Sequence, residues 1–158
     1  MDLLFFFEWL DGSTLATISK AYGGVFAVVQ MFHLLSMAVL GGMVLVADLR
    51  LLGVIMTDIP SDTVCAGTQK WFNIALAVLV LSGIFMSSAV AMKLYYNEMF
   101  WSKMTALTLG VIFVYAIRRP LLRFAHDTIN PAALKMTAIS SLLIWFTVAA
   151  SGRWIGFS

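Results

Sequence analysis

Long stretches without a charged side chain set the plan of this chain. Val25 to Ala47 carries none over 23 residues, Trp71 to Met92 none over 22, and Met136 to Gly152 none over 17. About 20 apolar residues at helical rise cross the hydrocarbon core of a bilayer. A fourth stretch, Met104 to Ile117, is shorter. Phe100 and Trp101 extend it, and Lys103 can lead its ammonium back to the membrane surface along its alkyl stem. The pattern predicts spans at about 24–48, 71–93, 101–118 and 134–153.

The segments between agree. Gly53 to Gln69 holds Asp58, Pro60, Ser61 and Asp62 and reads as a polar loop. Tyr95-Tyr96-Asn97-Glu98 reads as a tight turn with aromatics at interface depth. Arg118-Arg119-Pro120 ends the third span, because proline lacks the amide that continues the ladder. Asn130-Pro131 is a helix-start signal. Near the start, Leu3, Phe6, Phe7 and Leu10 fall on one helical face, and Trp9 adds an interfacial aromatic. Residues 2–20 are expected to lie as an amphipathic helix in the membrane interface. Asp2, Glu8 and Asp11 do not fit a secretory signal.

The predicted fold class is therefore all-α: one domain over residues 1–158, an integral membrane four-helix bundle with an N-terminal interfacial amphipathic helix. Composition supports this. The chain is 61% hydrophobic and 11% charged, against about 45–50% and 25% in soluble domains, and its mean hydropathy is +0.95. Lipid is the expected surrounding, with a homo-oligomer or a larger membrane complex as the expected assembly. The net charge of +2 comes from basic residues at span ends, a topology signal and not a nucleic-acid patch. Arg50, Lys70, Arg118, Arg119, Arg123 and Lys135 lie on one side of the spans. Lys20, Lys93, Lys103 and Arg153 lie on the other. The positive-inside rule puts the larger group in the cytoplasm and both termini in the periplasm of a bacterial inner membrane.

His33 is the imidazole at membrane depth, where ionisable groups are costly and mark functional sites. At 100° per residue it stacks with Gln30, Met37, Gly41, Val44 and Asp48, a stripe expected to face the other helices. Three readings of His33 stand together. It is a neutral imidazole bonded to Ser87, Ser88 or Thr147; an axial ligand of haem b; or a metal or proton-relay site. His126 is placed at the opposite end of the bundle, so a second haem ligand would be Met86, a neighbouring copy's histidine, or none. Ten methionines suit Cu(I) in principle, but they are spread over many helix phases. The single cysteine, Cys65, has no partner for a disulfide or a zinc site. Gly83, Ser87 and Ala91, then Thr105 and Thr108, then Ser140, Thr147 and Ser151 suggest helix packing through small residues. Asp48 is expected to meet Arg118 or Arg119 as a latch, and Arg153 to meet Glu98 or an acid of the first helix. No nucleophile–base pair, phosphate loop or carboxylate pair indicates an enzyme.

His33-Leu34-Leu35, Gly41-Gly42, Asp48-Leu49-Arg50-Leu51-Leu52-Gly53, Tyr96-Asn97-Glu98-Met99-Phe100 before Lys103, and Ser141-Leu142-Leu143-Ile144-Trp145 before Gly152-Arg153 resemble a family of small bacterial four-span membrane proteins without assigned function. More distantly, the chain resembles the membrane domain of copper-resistance protein D-like proteins. The first resemblance covers roughly residues 13–156. It implies a four-helix membrane bundle and singles out His33, Asp48, Arg50, Lys103 and Arg153. It also implies a second histidine near the end of the third span, where this chain has Tyr115-Ala116-Ile117. Two functions are carried forward: a non-enzymatic membrane accessory protein or complex subunit with a polar stripe around His33, and a b-type haem or metal protein with His33 as ligand.

Overall fold

A computed structural model describes residues 3–124 and 130–157, without the side chains of 123, 124 and 156. The described residues are helical and contain no strand. His126 lies outside them.

The single N-terminal helix expected over 2–20 is in fact two, α1 (Leu3–Asp11) and α2 (Thr14–Ala21). Gly12-Ser13 breaks it. Ser13 Oγ accepts from Ala16 N at 3.2 Å, capping α2, and donates to Leu10 O at 2.6 Å, the exchange that makes serine a good cap. Lys20 and Asp11 close the corner at 2.8 Å. In α1, Phe7 and Leu10 pack on Ala91 and Leu94, while Phe5, Phe6 and Trp9 stay exposed.

Four helices are long and apolar enough to cross a membrane. α3 (Gly23–Leu52) has 30 residues, about 45 Å at helical rise, longer than the hydrocarbon core. It stops at Gly53, whose φ of 78° lets Gly53 N and Val54 N turn back to Arg50 O and Leu49 O, the usual left-handed helix stop. α4 (Ser61–Ser88) begins ten residues before the predicted span. The loop before it is therefore 53–60, pinned by Arg50 Nε on Ile59 O at 2.7 Å. α5 (Ala91–Tyr95) is a single turn or so. α6 (Glu98–Ile112) is capped by Asn97 Oδ1, which accepts from Phe100 N at 3.1 Å. A π-helical segment (Phe113–Arg118) follows and leads into α7 (Arg119–Phe124). Pro120 explains it: the missing amide and the ring's clash with the carbonyl four residues back favour a wider turn. The third crossing thus runs through the predicted stop to Leu122. α8 (Pro131–Trp154) starts with Asn130 as cap and proline at its first turn.

α3 packs along α4 and α8, and α6 packs along α8. Gly110 permits the second contact, since a Cβ there would lie 3.2 Å from Ile144 and 3.3 Å from Trp145. The core is Leu40, Val44, Phe72, Ala75, Val114 and Trp145. α4 and α6 scarcely approach each other. Beyond α6, at the core's level, Tyr115 of the π-helical segment donates to Asn73 Oδ1 of α4 at 2.7 Å.

Candidate functional site

The gap between α4 and α6 forms a cavity of about 400 Å³ at the end of the bundle that carries α1. Leu3, Phe6, Phe7 and Leu10 of α1 cover it. Leu79, Val80, Gly83, Ile84 and Ser87 of α4 form one wall, and Phe100, Trp101, Met104 and Leu107 of α6 form the other. Val80, Ile84 and Met104 are also exposed, so the cavity opens on the apolar flank. His33 and Lys103 are its titratable lining groups.

His33 Nδ1 lies 2.8 Å from Ser82 Oγ. The serine proton is committed to its own helix, with Val78 O at 2.6 Å and Leu79 O at 3.2 Å. With the hydroxyl proton on its shortest contact, Val78 O, Ser82 accepts and His33 donates from Nδ1, an assignment made from the hydrogen-bond network. A neutral imidazole with its proton on Nδ1 keeps a lone pair on Nε2. Gly83 lets the ring sit close, as a Cβ there would lie 3.5 Å from His33 Cε1. Lys103 reaches across α8 at Gly152, where a Cβ would lie 3.6 Å from its Cδ, Cε and Nζ. Its ammonium has no anionic partner among the described residues and is close enough for its charge to act on His33.

A second polar cluster lies at the opposite end. Asp48 is fully buried, and Arg118 Nη1 stands 3.3 Å from its Oδ1. Neither carboxylate oxygen has a hydrogen-bond partner among the described residues, nor has the buried Ser141 Oγ, the hydroxyl that interacts with this carboxylate. Arg118 also lines a cavity of about 500 Å³ with Asp62, Cys65, Gln69, Arg119 and Leu122.

The expected stripe on α3 is rotated in its first half. Gln30 and Met37 are exposed, while Ser36, Leu40, Val44, Ala47, Asp48 and Leu51 are buried and His33 is half-buried. The bundle is splayed at that end, so lipid-facing positions begin closer to the stripe than a closed bundle allows. Met86 is half-buried and does not line the His33 cavity. Ser88 and Thr147 bond their own helices, to Phe85 O and Leu143 O, and leave His33 to Ser82. Thr105 and Thr108 likewise bond Trp101 O and Met104 O and are exposed. Arg153 lies over the Phe157 ring at 4.7 Å, not on Glu98. Arg50 is a loop clamp. Sequence reasoning passed over Ser82 because its neighbour Gly83 carried the small-residue pattern.

These features define a small multi-pass helical membrane protein with an apolar cavity between two spans. The chain belongs to DUF6644, a family of unknown function, whose pattern matches residues 6–158. No curated protein and no solved structure matches it.

Proposed function

We propose that the chain is a non-enzymatic membrane protein that holds a small apolar molecule between α4 and α6, as a binding subunit or accessory protein of a bacterial inner membrane. The observation that carries this is the α4–α6 cavity, with His33 and Lys103 among otherwise mostly apolar lining residues. Ligand sites are typically apolar concavities with a few placed polar groups, commonly between the helices of a bundle. The basic residues favour a cytoplasmic Asp48–Arg118 end and a periplasmic cavity end with both termini. The first half of α3 exposes Val25, Val28, Met31, Phe32, Leu34 and Leu35, a surface suited to lipid or to a neighbouring subunit.

The second reading, haem b on His33, is favoured by one feature: Nδ1 is held by Ser82, which fixes the ring and presents Nε2, as outer hydrogen bonds do for ligating histidines. Metal handling on His33 is opposed by Lys103, whose charge repels a bare cation at the same cavity. No group of three or more His, Cys, Asp and Glu able to hold a metal comes together among the described residues.

The test is purification in mild detergent, a visible spectrum before and after reduction, and mass spectrometry of an organic extract. A colourless protein carrying a small molecule that Gly83→Leu loses is expected. A Soret band that disappears in His33→Ala would replace this reading with haem.

A further inference from the structure

We propose that the α4–α6 cavity takes a single-chain acidic amphiphile, with its carboxyl group between His33 Nε2 and the Lys103 ammonium and its hydrocarbon chain against α1, α4 and α6. This rests on the cavity being a binding site, as proposed above.

The two polar groups select the headgroup. Lys103 offers donors and a positive charge, half-buried and without a counter-ion among the described residues. An unpaired charge in apolar surroundings is costly, so an anionic or strongly accepting group is favoured beside it. His33 offers an acceptor, because Ser82 fixes its proton on Nδ1. A carboxyl group answers both from one carbon. Its carbonyl oxygen accepts from Lys103, and its hydroxyl donates to Nε2. When ionised it pairs with the ammonium, and a proton on His33 then supplies the second hydrogen bond. An alcohol brings one oxygen and no charge. An amine meets the charge of Lys103 with its own.

The walls select the rest. Phe6, Phe7, Val80, Ile84, Met104 and Leu107 present hydrocarbon, and several are open to the flank where membrane amphiphiles reside. About 400 Å³ lies near the lower end of small-molecule sites, room for one chain and not two. Gly83 keeps the His33 edge of the cavity free.

The experiment is equilibrium binding of radiolabelled hexadecanoic acid, against hexadecanol, to the purified full-length chain in nanodiscs. The unaltered protein should bind the acid at least about tenfold more tightly than the alcohol, as expected for a hydrogen bond to a charged group. Lys103→Met should remove that preference, and Lys103→Arg should retain it, which separates loss of charge from loss of fold. Gly83→Leu should abolish binding of both. Equal affinity for acid and alcohol, or a preference untouched in Lys103→Met, overturns the acidic headgroup while leaving the cavity a binding site. Failure of both probes to bind the unaltered protein overturns the proposal. If Gly83→Leu also keeps any co-purified molecule, the binding-site reading itself fails.

Discussion

Replacing Arg118 with leucine should be among the most damaging single changes in this protein, and repairing it should require removing Asp48 as well. The Arg118 and Asp48 side chains are 6% and 0% exposed, 3.3 Å apart. With an effective dielectric of about 20, charges at that separation attract by about 5 kcal/mol. Much of this is offset by the cost of taking both ions out of water. The pair as a unit therefore contributes little, but either partner alone is a stranded charge. Beside Asp48 stands the neutral Ser141 hydroxyl, which cannot substitute for the charge of the guanidinium. Removing one member of a buried pair typically costs about 3–5 kcal/mol, whereas replacing both with apolar residues is often neutral.

Arg118→Leu is thus expected to cost about 3–5 kcal/mol, and the Asp48→Leu, Arg118→Leu double variant to recover most of it. The assay is reversible unfolding in mixed micelles by denaturing detergent, run as a double-mutant cycle. Because each single change strands the other charge, the coupling should exceed the roughly 0.5–3 kcal/mol usual for contacting residues. Arg119→Leu is the control: that guanidinium lies over the Tyr115 ring at 5.9 Å on the surface, worth about 0.5–1 kcal/mol. A loss below about 1 kcal/mol for Arg118→Leu, or singles that simply add in the double, would refute the reasoning.

Two backbone features invite similar tests. Gly110→Leu should lower the midpoint of thermal unfolding by overpacking α6 against Ile144 and Trp145, a cost of about 1–3 kcal/mol; an unchanged midpoint would mean that α6 and α8 are free to separate. Pro120→Ala should slow amide hydrogen exchange across residues 116–121 by restoring a donor to the π-helical segment; unchanged exchange would assign the wide turn to packing and not to proline.

The four crossings were legible because hydrocarbon thickness fixes a length that charges punctuate. Helix ends were less legible. Lys70 and the polar start of α4 read as loop, yet Gln69 donates to Asn73 within a continuous helix at 2.7 Å, since a membrane helix need not stop where the lipid does. Pro120 read as a stop, but it only widened the turn. The motif from Asp48 to Gly53 stood out for reasons now physical: a buried acid, a loop clamp in Arg50 and a left-handed glycine. His33 could be found as an imidazole at depth. Its partner could not, because α4 offers Ser82, Ser87 and Ser88 at similar depth. Periodicity cannot say which of them faces α3 when the bundle is splayed. The cavity was invisible for the same reason, being a property of two helices that fail to close.

The two polar clusters are kept apart by the bundle's core, and this bears on what the protein can do. His33 and Asp48 are 15 residues apart on α3, about 22 Å along the axis. Between them lie Leu40 and Val44, with Phe72 edge-on to Trp145 at 5.5 Å. Trp145 Nε1 is buried there without a hydrogen-bond partner among the described residues, and the Tyr115–Asn73–Gln69 bonds run along the exposed edge of that layer. A relay from one end to the other would need Phe72 and Trp145 to part, and Gly110 ties Trp145 closely to α6. Transporters generally place their site near the midplane among broken helices. Here a packed layer separates the two ends, with the apolar α4–α6 cavity at one and the Arg118-lined cavity at the other. Under the reading proposed above, that closed layer fits a protein that holds a ligand at one end better than one that passes it through.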